Sequence, residues 1–211
     1  MFKNTKELVE ISALVAISFI LDMTAHFYFG WFWIYGGSIS LSLVPLAIIG
    51  YRYGWIKAFI GGAAMGTLQL FFGAWIIHPA QVILDYPLAF GLLGLSGLWM
   101  KQVNSSKHWV FYVWLSTFVG SLGRLFSHVV SGYVFWSDGE IGIGVWLFSF
   151  GYNTPYVAGS FVLSAIVLTL IYKRYCKVFQ MADETNFIGS VEEVLPLEGE
   201  AGQGTERKQS N

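Results

Sequence analysis

Polar side chains that could do chemistry lie within the most apolar stretches of this chain. The main ones are Asp85 with the adjacent Tyr86, Arg124 with His128 four residues later, and Asn153. A carboxylate among aromatic rings suits a flat organic cation, because the rings add cation–π attraction to the charge. An amide can both donate and accept hydrogen bonds, as the edge of a heteroaromatic ring requires. These residue types predict a binding site rather than a catalytic one.

The composition indicates that a lipid bilayer surrounds these residues. Hydrophobic residues make up 55% of the 211 positions and charged residues only 12%, with a mean hydropathy of +0.57. Average soluble domains carry roughly 25% charged residues. The net charge of −1 shows no overall basicity that would suggest a nucleic-acid partner. Cys176 is the single cysteine, which excludes an internal disulfide and a cysteine-based zinc site.

The apolar runs predict an all-α membrane protein with six transmembrane helices, each about 20 residues long in the typical case. The predicted spans are 8–28, 39–51, 56–74, 79–99, 109–136 and 145–172. The second span is short and contains Pro45, so its boundaries are the hardest to place. The first span lacks a small-residue cleavage site, and we expect it to be retained rather than removed as a signal peptide.

The Lys and Arg residues predict the orientation of the helices. With six spans, nine of them fall on one side of the membrane, and the connections near 29–38, 75–78 and 137–144 contain none. The positive-inside rule therefore places both termini in the cytoplasm. We expect residues 1–178 to form the membrane domain. Residues 179–211, with seven acidic and two basic side chains, are expected to form a disordered cytoplasmic tail.

The orientation also predicts the depths of the polar residues. At 1.5 Å per residue, Asp85 lies roughly 9 Å below the outer membrane edge, and His128 and Asn153 roughly 12 Å below it. This convergence predicts one polar pocket open to the outside, although polar pairs joining the helices are an alternative. Trp136 follows His128 by a little over two helical turns and returns to nearly the same face.

Two polar pairings within the spans stay open. Arg124 could form an ion pair with Asp85 or Asp22, or it could form the pocket floor. Neutralisation of Asp85 by Arg124 would weaken the case for a cationic ligand. Asp22 and His26, at i,i+4 spacing, could pair with each other.

Other motifs in the sequence do not predict a catalytic, metal or nucleotide site. Gly62 and Gly66 have the GxxxG spacing of closely packed helices. Residues 94–97 match the GxSG of rhomboid-type proteases, but Ser96 and His128 differ in depth by roughly 20 Å, too far for a nucleophile and its base. We predict no metal site, and no phosphate-cradling glycine loop with lysine is present, so any ATP hydrolysis belongs to other subunits.

Four segments together resemble the thiamine-specific S components of energy-coupling-factor (ECF) transporters. They are GGSIS at 36–40, HPAQVILDYPLAF at 78–90, RLFSHVVSGYVFW at 124–136 and YN at 152–153. The resemblance implies a six-helix substrate-binding subunit in a bacterial plasma membrane, with thiamine as ligand and no cofactor. It also implies a transmembrane coupling subunit and two ATPase subunits as partners. An S component for another heteroaromatic vitamin or a thiamine precursor is an alternative, as is a membrane enzyme or a structural helix bundle.

The resemblance assigns roles to five residues at the centre of the site. Asp85 stands where the family has an acidic residue that meets the aminopyrimidine or offsets the thiazolium charge, and Tyr86 lines the site. His128 and Trp136 match the residues that sandwich the ligand rings. Asn153 matches the residue that bonds the pyrimidine amine.

Residues farther from the centre are assigned less directly. Trp33, in the first outer loop, corresponds to a loop that closes over the pocket. Phe148 and Met65 stand where some members have Tyr and Trp. Ser12 and Ala16 match small residues of the first helix that contact the coupling subunit, with packing inside the protein as the alternative.

Overall fold

The computed structural model describes residues 5–34, 36–72, 74–137, 139–175 and 178–180, and these residues form helices and loops without β-strands. The predicted all-α class is confirmed. Six helical segments follow one another along the chain: α1 (Thr5–Phe29), α2 (Leu43–Tyr53), α3 (Trp55–Gln69), α4 (Pro79–Ser105), α5 (Trp109–Phe135) and α6 (Ile143–Arg174). A short 3₁₀ turn, Gly30–Phe32, extends α1.

Four of the six segments are long and apolar enough to cross a membrane, namely α1 with its 3₁₀ turn, α4, α5 and α6. The other two are shorter. The 11 residues of α2 and the 15 of α3 extend about 16 and 22 Å, against about 30 Å for a bilayer core. The predicted span 39–51 began four residues before α2 and ended two residues short of its end, and the span 56–74 extended five residues beyond the end of α3. Of the predicted tail at 179–211, all but the first two residues lie outside the described residues.

The second span begins late because its first residues bond outside the helix. The Ser40 hydroxyl donates to Asp22 at 2.6 Å, and its backbone N–H donates to the hydroxyl of Ser160 at 3.0 Å. The hydroxyl of Ser18 donates to the carbonyl of Ser42 at 2.7 Å. The Ser40 N–H and the Ser42 carbonyl thus have side-chain partners outside a helix, which hydropathy does not reveal.

The centre of the bundle depends on close contact between α3 and α4. A Cβ atom added at Gly62 would collide with the carbonyl oxygen of Phe90, and one added at Gly66 with that of Tyr86. Only glycine permits this backbone approach. The close packing predicted from the GxxxG spacing is confirmed, and it fixes the part of α4 that carries Asp85.

The helix α4 is irregular where it carries the site. It begins as α-helix at Pro79–Ile83, passes through a π-helical turn at Leu84–Leu88 and returns to α-helix at Ala89–Leu92. A 3₁₀ segment, Leu93–Trp99, and a final α-helical segment, Met100–Ser105, complete it. Pro87 lies inside the π turn and has no N–H to donate to the preceding turn. The Ser127 hydroxyl of α5 donates to the carbonyl of Leu84 at 2.6 Å. The widened turn therefore has a side-chain partner on the neighbouring helix.

We predict that Gly66→Ala lowers the apparent unfolding midpoint in detergent. The added methyl group must displace α4, at a cost of about 1–3 kcal/mol for overpacking. The matched control is Gly151→Ala, since a Cβ there meets nothing within 4 Å. A thermal-shift assay should give a lower midpoint for Gly66→Ala and an unchanged or higher one for Gly151→Ala. Equal midpoints would show that the contact is not tight.

Candidate ligand-binding site

A cavity of about 970 Å³ lies at the end of the bundle where the loops 30–42 and 70–78 meet. Its wall includes all seven residues predicted to contact a ligand: Trp33, Asp85, Tyr86, His128, Trp136, Phe148 and Asn153. The helices α4, α5 and α6 supply five of them, and Trp33 and Trp136 lie in the segments that follow α1 and α5. The structure thus brings the predicted residues together at one place.

The carboxylate of Asp85 is held by neutral donors. Gln81 Nε2 donates to Oδ2 at 2.7 Å, and His128 Nδ1 lies 3.1 Å from Oδ1. On the far side of the imidazole, Arg124 Nε donates to His128 Nε2 at 3.3 Å. A guanidinium can only donate, so Nε2 must accept and the ring proton belongs on Nδ1, facing Asp85. His128 is therefore a neutral bridge between the two charges.

The alternative in which Arg124 forms an ion pair with Asp85 or Asp22 is wrong for the described structure. Its guanidinium carbon lies 4.4 Å from the centroid of the Phe90 ring, and its hydrogen bond goes to His128. The arginine is 5% exposed and lines the cavity. The other alternative, a place in the cavity wall, agrees with this position.

Asp22 also lines the cavity, and its carboxylate does not pair with His26. Its two oxygens accept from the Ser40 hydroxyl at 2.6 Å and from Gln69 Nε2 at 2.8 Å. His26 lies in the cavity wall close to Gly30. The possible i,i+4 pair is replaced by bonds to a loop and to α3.

Asn153 is buried and partly satisfied within its own helix. Its Nδ2 donates to the carbonyl of Ser149 at 2.8 Å, and its Oδ1 accepts from the Tyr156 hydroxyl. One amide proton and one lone pair remain available toward the cavity. Tyr156 was missed by the sequence analysis, although it follows Asn153 by three residues and so shares its helix face. Its ring lies 6.0 Å from that of His128.

Aromatic residues of two loops line the cavity entrance. The Trp33 ring meets the Tyr156 ring edge-on at 5.7 Å, and Trp136 lies 6.0 Å from Trp75. Trp75 is a second residue that the sequence analysis missed. Its backbone N–H donates to the Tyr86 hydroxyl at 2.9 Å. Phe148 lies at the rim with 63% of its surface exposed.

Ser12 and Ala16 lie far from the cavity, on an exposed face of α1. They do not pack inside the described part of the protein, so the alternative of internal packing is wrong. This leaves a small-residue surface at i,i+4 spacing, on which another helix could approach closely.

The fold and the cavity define a class of protein: a helical membrane bundle whose polar, ring-lined cavity has the size of a small-molecule binding site. The chain belongs to the thiamine transporter protein family, whose model (Thia_YuaJ) matches residues 8–180.

Individual relatives agree with this assignment. The chain is 33% identical to the thiamine transporter ThiT of Bacillus subtilis, over 81% of this chain and 92% of the relative. It is 29% identical to ThiT of Lacticaseibacillus paracasei, over 71% and 80% of the two chains. The solved structure of ThiT from Listeria monocytogenes matches with a TM-score of 0.73 at 29% identity, and covers 85% of this chain and 100% of that one.

We predict that Gln81→Leu loosens the loop over the cavity. Gln81 is 1% exposed, accepts from the Ile77 N–H at 3.3 Å and donates to the Trp75 carbonyl at 3.1 Å. Without these bonds the Ile77 amide should exchange hydrogen about fivefold faster, since one hydrogen bond contributes about 1 kcal/mol. Mass-spectrometric hydrogen exchange measures this. Gln102→Leu, at an exposed position, is the control, and equal exchange in both variants would contradict the prediction.

Proposed function

We propose that this protein captures thiamine from outside the cell as the substrate-binding S component of an ECF-type importer. The observation that carries the proposal is the Asp85 carboxylate, which lines an aromatic cavity and is bonded by Gln81 and His128 rather than by a cation. Thiamine is a permanent monocation with two flat rings. A negative site among ring faces complements it in both charge and shape.

Each part of the ligand has a partner in the cavity. Asp85 balances the thiazolium charge, with Tyr86 beside it, while His128 and Trp136 cover the faces of the rings. The amide proton and the lone pair that Asn153 has left form hydrogen bonds with the edge of the aminopyrimidine. Ring faces contribute about 0.5–2 kcal/mol each to a cation. Trp33 and Phe148 lie at the entrance, where they restrict escape of the ligand.

The names of the relatives support thiamine as the ligand, because two proteins that match most of the chain are named thiamine transporters. We infer that residues 1–178 form the binding domain and 179–211 a cytoplasmic tail. The segregation of Lys and Arg supports a bacterial plasma-membrane protein with both termini inside.

Uptake against a gradient needs an energy source that this domain does not carry. No phosphate-cradling loop with lysine occurs in the sequence. We infer that a transmembrane coupling subunit and two ATPase subunits supply it. The exposed face with Ser12 and Ala16 is where the coupling subunit would approach, since small side chains let two helices come close.

We predict that the protein in detergent binds thiamine tightly and that Asp85→Asn weakens binding about 100-fold, since an isolated cation–anion contact contributes about 2–5 kcal/mol. Quenching of tryptophan fluorescence during titration measures the affinity. Glu140→Gln removes the same charge at an exposed position outside the cavity and should leave affinity unchanged. No quenching of the unsubstituted protein at micromolar thiamine would refute the proposal. Fragments with the pyrimidine or the thiazole alone test the precursor alternative.

We predict that Ala16→Trp leaves thiamine affinity intact and abolishes uptake in cells, because the bulky ring keeps the coupling subunit from α1. Ala158→Trp, at an exposed position on α6, is the matched control and should retain uptake. Radiolabelled thiamine uptake and co-purification of the ATPase subunits are the two measurements. Normal uptake by Ala16→Trp would place the coupling surface elsewhere.

A further inference from the structure

The cavity contains a second carboxylate that the assigned roles do not use. Asp22, on α1, is 5% exposed and lies in the cavity wall together with Asp85. Its oxygens accept from Ser40 and Gln69, both neutral side chains. Neither of these bonds comes from a cationic side chain, and no ion pair of Asp22 occurs among the described residues.

Asp22 changes the net charge of the cavity wall. Among the described lining residues, the acidic and basic side chains other than histidine are Asp22, Asp85 and Arg124. His128 keeps Arg124 out of contact with Asp85, but the guanidinium still adds one positive charge to the sum over the cavity wall. With Asp85 alone the cavity would carry no net charge, whereas with Asp22 it carries −1. This is the charge that a single organic cation neutralises.

We propose that Asp22 is a specificity-determining residue, whose charge makes the cavity select a monocation over a neutral molecule of the same shape. This inference rests on the proposed function and adds a residue to it. The effect acts through space within the cavity and does not require Asp22 to touch the ligand. In an effective dielectric constant of about 20, a unit charge at about 12 Å changes affinity about tenfold.

The surrounding bonds hold the carboxylate in place for this role. The Ser42 backbone N–H donates to the Ser40 hydroxyl oxygen at 3.1 Å, and this oxygen lies 2.6 Å from Asp22 Oδ1 and 2.7 Å from the Ser42 hydroxyl. The Ser40 N–H is itself bonded to Ser160 at 3.0 Å. Gln69 approaches from α3 and donates to the other oxygen at 2.8 Å. Three helices and a loop therefore fix the position of the charge.

The test compares thiamine with its neutral isostere, in which carbon replaces the thiazolium nitrogen. Calorimetric titration of each ligand gives the ratio of the two affinities. Asp22→Asn should lower this ratio about tenfold while the isostere binds nearly as before. Asp22→Ser is a second neutral variant. Ser40→Ala removes the same hydrogen bond with the charge retained, and its ratio should equal that of the unsubstituted protein.

A double variant that moves the carboxylate separates the effect of the charge from the effect of an altered structure. In the double variant Asp22→Asn with Gln69→Glu, the carboxylate moves to the hydrogen-bond partner, and the ratio should recover. An unchanged ratio in Asp22→Asn, or equal weakening of both ligands, would overturn the inference while leaving the proposed function intact. If the unsubstituted protein binds neither ligand, the proposed function itself fails.

Discussion

The cavity depends on the imidazole of His128 lying between a carboxylate and a guanidinium. If Arg124 met Asp85 directly, the two charges would cancel in a bidentate pair, and a cationic ligand would have to break it. The intervening ring prevents this contact, because it accepts from Arg124 at 3.3 Å and faces Asp85 at 3.1 Å. Asp85 is thereby oriented by neutral donors and keeps its charge for a ligand. The order carboxylate, imidazole, guanidinium is the central feature of the site.

The scaffold enforces this order through backbone geometry more than through charge. The π-helical turn at Leu84–Leu88 positions Asp85, and Ser127 bonds the Leu84 carbonyl that this turn presents to α5. Gly66 lets α3 lie directly against the same turn. Local departure from α-helix in a membrane is tolerated where neighbouring helices satisfy the backbone. The π-helical turn and the close approach at Gly66 thus act together to fix the position of the Asp85 carboxylate.

The sequence predicted the helical class and the residues that meet in the cavity, because polar residues in apolar spans stand out and helix direction gives their depth. It did not predict the partner of Arg124, since depth does not tell which of two groups a flexible side chain meets. Trp75 and Tyr156 were missed because aromatic residues are too common here to signal a site. The late start of α2 depended on serine bonds across the fold, which leave no trace in hydropathy.

The most direct test of the central claim is an experimental structure of the protein with thiamine bound. The account predicts that the thiazolium ring lies beside the Asp85 carboxylate, within about 6 Å of an aromatic face as cation–π attraction requires. It also predicts that His128 still separates Asp85 from Arg124. A structure in which Arg124 pairs directly with Asp85, with the ligand held elsewhere, would contradict it.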